Sequence, residues 1–201
     1  MLQPLPKKQK IVWPDNTYYF LTNSTFMHYP FFRQSDQKQI VLNSIKKLQS
    51  EYSIPVQDFA VLMNHQHLMF YADKGEKVTL VKRFLKNNVS REYKRAYKVP
   101  YSEMWHSTRV FWIKDDKMFW GVRGYIAGNL LKHKEVSSFQ ELYDNPFSSF
   151  KYTADKFGFD SLKELVQSVI EVKENPYGEV DVGEIGELNL KPLSGTVLKR
   201  T

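Results

Sequence analysis

Between Val56 and Asp73 the chain reads VQDFAVLMNHQHLMFYAD, a strand-length apolar run interrupted near its middle by polar residues. A run so apolar, without a clean alternation of polar and apolar positions, belongs to buried strand. It resolves either as two strands, VQDFAVLM (56–63) and HQHLMFYAD (65–73), joined by a tight turn near Asn64, or as one long bent strand. Helical segments flank it. SDQKQIVLNSIKKLQSEYS places Val41, Ile45, Leu48 and Tyr52 on one face before Pro55 ends it. A second helix, from about Glu76 to Tyr97, carries Val78, Val81, Leu85 and Val89 as its apolar stripe. TYYFLTNSTF (17–26) and TRVFWI (108–113) have the aromatic and β-branched content of strands.

DDKMFWGVRGYIAGNLLKH then predicts a helix with acids in its first turn and bases in its last, matching the helix dipole. The order strand–helix–strand–strand–helix–strand–helix is that of an α+β, ferredoxin-like or RRM-like split βαβ fold: an antiparallel sheet with helices on one face. SLKELVQSVIEVK adds a C-terminal helix. The expected organisation is a loose proline- and lysine-rich arm (1–15), a main folded domain (16–152), a helical extension (153–173) and an acidic-then-basic flexible tail (174–201).

Charge narrows the partners. The 201 residues carry a net charge of +7, but five acids and no base lie between Glu174 and Asn189. Residues 1–173 therefore hold 26 basic and 17 acidic residues, a balance suited to a polyanion such as nucleic acid. The absence of cysteine excludes disulfides and thiolate metal sites. No run has the ~18 apolar residues that span a bilayer, so a membrane partner is not expected and the cytoplasm is.

The two histidines of the opening run lie at i and i+2 of a strand, so His65 and His67 project from one face. Imidazoles so placed suit a shared divalent cation; a hydrogen-bonded pair on a strand face is the alternative. In GYIAGN (124–129), Tyr125 and Asn129 are one helical turn apart. An amide oxygen can complete a metal site, and a phenol beside it can attack a phosphodiester polarised there. His133, a further turn along that face, either assists the phenol's proton transfer or complements the helix C-terminus, and the latter is preferred.

Taken together, LMNHQHLM (62–69), MWHSTR (104–109), GYIAGN (124–129) and PFSSF (146–150) resemble, in order, the motifs of the single-tyrosine HUH transposases, above all the REP-associated tyrosine transposases. The resemblance covers about residues 15–152. It departs from the family pattern at Gln66, where an apolar residue is usual, and at Met63 and Leu130, where proline is usual. It implies that His65, His67 and Asn129 bind Mg²⁺ or Mn²⁺ and that Tyr125 is the nucleophile. The implied reaction cleaves single-stranded DNA near a hairpin, leaving a 5′-phosphotyrosyl bond and a free 3′-OH. It also implies a homodimer working at the bacterial nucleoid.

DNA contact is expected from the polar, mostly basic face of the second helix, namely Arg83, Lys86, Asn87, Arg91, Lys94, Arg95 and Lys98. Arg109 and Arg123 are expected near the scissile strand, and Trp105 is a candidate for stacking an unpaired base. The tail is a candidate for engaging a partner. Two other readings use the same fold: a non-catalytic module that binds structured single strands, and a relaxase or replication-initiator nickase.

Overall fold

The computed structural model describes residues 11–99, 103–176, 179–188 and 190. Strand β1 (Thr17–Thr25) is followed by helix α1 (Ser35–Tyr52), then by β2 (Val56–Val61) and β3 (His65–Ala72). The Leu62 N–H donates to the His65 carbonyl at 2.9 Å, so the apolar run is two strands joined by a tight turn at Met63 and Asn64. Helix α2 (Glu76–Tyr97) and β4 (Trp105–Trp112) complete the unit. All strand pairs are antiparallel, in the order β2-β3-β1-β4, which is the ferredoxin-like split βαβ sheet.

The helices form where local chemistry starts them. Gln34 and Gln37 make a reciprocal capping box at the head of α1, whose Val41, Ile45 and Leu48 are buried. The Gly75 N–H at the head of α2 donates to Asp15 Oδ1 at 2.7 Å, and Val78, Val81, Leu85 and Val89 are buried below it. These two helices pack on each other.

Strand β3 is buried along its whole length except at Tyr71, so both faces of the sheet are covered. Antiparallel partners share a face, and the register groups His65, His67 and Met69 with Ser24, Thr22 and Phe20. The other face carries Leu21, Asn23, Gln66, Leu68 and Phe70 and lies under α1 and α2. A register shift between Ser24 and Thr25 turns Trp105 onto that helix side. There its indole N–H donates to the Lys86 carbonyl (3.1 Å) and to Ser90 Oγ (2.9 Å).

The two helices of the split βαβ unit thus share one face as expected, and the histidine face receives its own layer, led by α3 (Asp116–Lys132). Asp115 caps α3 by accepting from the Met118 N–H at 2.8 Å, and every residue from Met118 to Leu130 is buried. After it come α4 (Phe139–Asp144), α5 (Phe150–Phe157) and α6 (Phe159–Val169). The single C-terminal helix expected after residue 160 is therefore preceded by a second one, separated from it by Gly158 at φ 95. The PFSSF segment runs along the free edge of β2: the Val61 N–H donates to the Phe147 carbonyl and the Ser149 N–H to the Phe59 carbonyl, both at 2.9 Å. An otherwise open strand edge is closed there.

The tail departs from its expectation over residues 179–188. Helix α7 (Val182–Glu187) sits against α3, and Val180, Val182 and Ile185 are buried. Its acids face outward while these apolar residues supply a docking stripe, so a high charge content did not prevent packing. Residues 1–10 of the arm and 191–201 of the tail lie outside the described residues. Among the described residues, no helix is long and apolar enough to cross a membrane.

Candidate active site

Between β3 and α3 the structure brings together four groups that the sequence singled out. The ring of His67 lies 5.2 Å from that of Tyr125 and 4.9 Å from that of His65, centroid to centroid. Phe20 stacks on His67 at 5.5 Å and meets Tyr125 edge-on at 6.0 Å, which fixes the ring plane. Asn129, one turn beyond Tyr125, is fully buried beside both.

Each strand histidine is oriented through its δ nitrogen. His65 Nδ1 is 2.8 Å from Asn64 Oδ1, and His67 Nδ1 is 2.9 Å from Thr22 Oγ1. Their ε nitrogens point inward, buried and without a hydrogen-bond partner, as are both amide atoms of Asn129. Burial holds His65 well below the ordinary histidine range and His67 down to about 3, with neighbouring histidines adding to both shifts. Both rings are therefore neutral near pH 7, with a free lone pair on the inner nitrogen. Buried lone pairs left unmatched are costly. A divalent cation would match them, and oriented imidazoles of this kind are what metal sites use. The residues present fit a divalent cation that accepts imidazole.

Two further groups complete the cluster. His133, at the end of α3, has its ring 4.8 Å from that of His65. Glu174, 49 residues beyond Tyr125, accepts a 2.6 Å hydrogen bond from the Tyr125 hydroxyl on Oε1, and its Oε2 is 3.0 Å from His133 Nε2. Burial alone would raise the Glu174 pKa, but the contacts with His133 and Tyr125 bring it down to about 2. Burial, then the Glu174 charge, push the Tyr125 phenol well above its usual value. Lys132 holds the segment in place by donating from Nζ to the carbonyls of Ile170 (2.8 Å) and Val172. His133 was visible in the sequence as a residue on the Tyr125 face. Glu174 carried no signal there, being one acid among several in a run read as tail.

The predicted DNA contacts separate into three groups. Arg83, Asn87, Arg91, Lys94, Arg95 and Lys98 are exposed on α2, and Lys86 is half-buried; all lie on the far side of the sheet from Tyr125. Arg83, Asn87 and Arg91 line a groove of about 710 Å³ between α1 and α2, to which α1 adds Lys47. Arg109 shares the histidine face, opposite Thr22 in register, and pairs with Glu179 at 2.7 Å. Arg123 and Trp105 are buried instead. The Arg123 guanidinium bonds Asp58 at 2.8 Å and packs 4.7–5.2 Å from the rings of Phe119, Phe157 and Trp120. Both side chains are thereby packed into the core.

The sequence matches no family model and no curated protein. Among solved structures, a REP-associated tyrosine transposase bound to a REP hairpin superposes with a TM-score of 0.58 at 18% identity, covering 87% of this chain and 98% of that one. A Deinococcus radiodurans R1 protein provisionally described as a transposase has a TM-score of 0.42 at 14% identity, over 64% of this chain and 95% of that one. The tRNA(His) guanylyltransferase of Saccharomyces cerevisiae has a TM-score of 0.46 at 10% identity, over 85% and 84%. The first of these shows a shared fold running through nearly all of the transposase chain.

Proposed function

We propose that this chain is a divalent-cation-dependent endonuclease and strand transferase acting on single-stranded DNA beside a hairpin, with Tyr125 as nucleophile and His65, His67 and Asn129 as cation ligands. One observation carries the reading. A phenol on α3 faces two imidazoles and an amide whose inward atoms are buried and unmatched, all within one chain. A solved REP-associated transposase of the same fold is bound to a hairpin, which supports the choice of DNA.

A cation held there would withdraw charge from the phosphoryl oxygens of the scissile phosphodiester. The chain's own residues do the rest. Tyr125 Oη attacks phosphorus; the Oη–P bond forms and the P–O3′ bond breaks, leaving DNA joined to tyrosine at its 5′ end and a free 3′-OH. The phenol proton leaves along its existing hydrogen bond to Glu174 Oε1, and the departing 3′ oxygen takes a proton from solvent. Burial and the Glu174 charge raise the phenol's pKa further above its ordinary value, so attack has to be coupled to loss of its proton. The covalent bond keeps the phosphodiester's energy, so attack by a 3′-OH rejoins strands without ATP.

Outside the site, the α2 stripe of Arg83, Lys86, Asn87, Arg91, Lys94, Arg95 and Lys98 would grip the hairpin backbone, and Arg109 the strand near the site. Tyr125 and His67 meet within one chain, their rings 5.2 Å apart, and a homodimer remains part of the proposal.

A denaturing gel tests the proposal. Labelled single-stranded hairpin DNA incubated with Mn²⁺ should give a protein–DNA adduct with the wild type. EDTA or Tyr125→Phe should abolish it. Tight hairpin binding with no adduct across a range of hairpins would replace the nuclease with a binding module. An adduct persisting in Tyr125→Phe would mean that a different residue attacks.

A further inference from the structure

We propose that His133 and Glu174 bind the same cation as His65 and His67, so that the chain beyond α6 supplies part of the metal site. The inference rests on the reading of the strand histidines as ligands, and adds two residues that none of the four motifs includes, His133 at the end of α3 and Glu174 beyond α6. The ion would be a divalent first-row metal such as Mn²⁺, which accepts imidazole and carboxylate together.

Three observations carry it. One ligand atom each from His65, His133 and Glu174 lies within 4.8 Å of the other two. Ligands bound at about 2.0–2.2 Å from a common ion stand about 3–4 Å apart, so small side-chain movements close the set. Second, His133 Nε2 and Glu174 Oε2 are 3.0 Å apart, yet the imidazole nitrogen makes no hydrogen bond of acceptable geometry. Both atoms lie within reach of a common ion. Third, the ε nitrogens of His65 and His67 are both buried and unmatched, and the rings of His67 and His133 lie 4.9 and 4.8 Å from that of His65.

Glu174 is placed there by construction. Lys132 ties down the carbonyls of Ile170 and Val172 just before it. After it, an antiparallel bridge pairs Glu174 with Val180, and Asn175 Nδ2 donates to Glu179 Oε2 at 2.8 Å. Ile185 then locks α7 into the notch left by Gly121 of α3. The carboxylate has a different partner on each oxygen: Oε2 faces His133, while Oε1 accepts from Tyr125. As a ligand through Oε2 it also fixes the position of the nucleophile's hydroxyl relative to the ion.

The experiment is a titration of the full metal-free chain with Mn²⁺, read by calorimetry and by the Mn²⁺ paramagnetic resonance signal. Wild type, His65→Ala, His133→Gln, Glu174→Gln and Glu174→Asp are compared, with circular dichroism to confirm folding. His133→Gln and Glu174→Gln are expected to weaken Mn²⁺ binding about tenfold or more, as even outer partners of metal ligands do. Glu174→Asp, which keeps a carboxylate, should recover part of the loss. If both Gln variants bind like the wild type while His65→Ala loses binding, this inference is overturned and the proposed function stands. If the wild type itself binds no Mn²⁺, the metal reading fails together with the inference.

Discussion

At the scale of single residues, what the sequence made readable follows from periodicity. His65 and His67 are two apart on a strand, and Tyr125 and Asn129 are four apart on a helix, so each pair could be assigned to one face without tertiary information. The structure adds that the two faces confront each other. Glu174 escaped because no local spacing ties it to Tyr125. Gln66 marks a different kind of departure. It occupies a place where apolar residues are usual, and it lies fully buried under α1 and α2 with neither amide atom hydrogen-bonded. Its cross-strand neighbour Asn23 also has an unmatched Nδ2. A buried polar group without a partner costs about 1–3 kcal/mol. Gln66→Leu, of similar volume, is therefore expected to raise stability by about that amount, read as a higher urea midpoint at unchanged slope. A lower midpoint would show that the amide is matched in solution.

Among the elements, strands and long helices were legible, while edges and short helices were not. β4 begins at Trp105, three residues before the β-branched run that announced it, because pairing with β1 extends through a bulge that composition does not encode. α4 and α5 are too short for a periodic signature. The glycines of α3 could be read only as weakeners of a helix, and the structure gives them a packing role. A Cβ on residue 128 would lie 2.4 Å from Val166 Cγ1. Gly128→Ala would gain up to about 1 kcal/mol in helix propensity. The clash falls on a β-branched side chain with little rotamer freedom, and overpacking of this kind costs about 1–3 kcal/mol. The clash is expected to win, giving a lower thermal midpoint than wild type. An unchanged or raised midpoint would mean that α6 yields without cost.

For the molecule as a whole, α1 and α2 gather exposed bases on one side of the sheet. The exposed bases of α2, with Lys46 and Lys47 of α1, flank grooves on the far side of the sheet from Tyr125. Each cation that contacts a duplex phosphate contributes about 0.9 to the slope of log affinity against log salt. Replacing Arg83, Arg91 and Arg95 by alanine should weaken hairpin binding and flatten that slope by about 0.9 for each residue that makes contact, measured by fluorescence anisotropy across a salt series. Affinity and slope both unchanged would remove this face from DNA recognition. The closed edge of β2 then acquires a second meaning. A strand held behind the sheet cannot turn round that side, where residues 146–149 already lie. The β4 edge is met by Glu179, which is bonded to Ser107 and Arg109, so a strand passing there to Tyr125 would have to part those contacts. Under the proposed function, the contour distance from the hairpin along that path would select the nucleotide that reaches Tyr125 before any base is read.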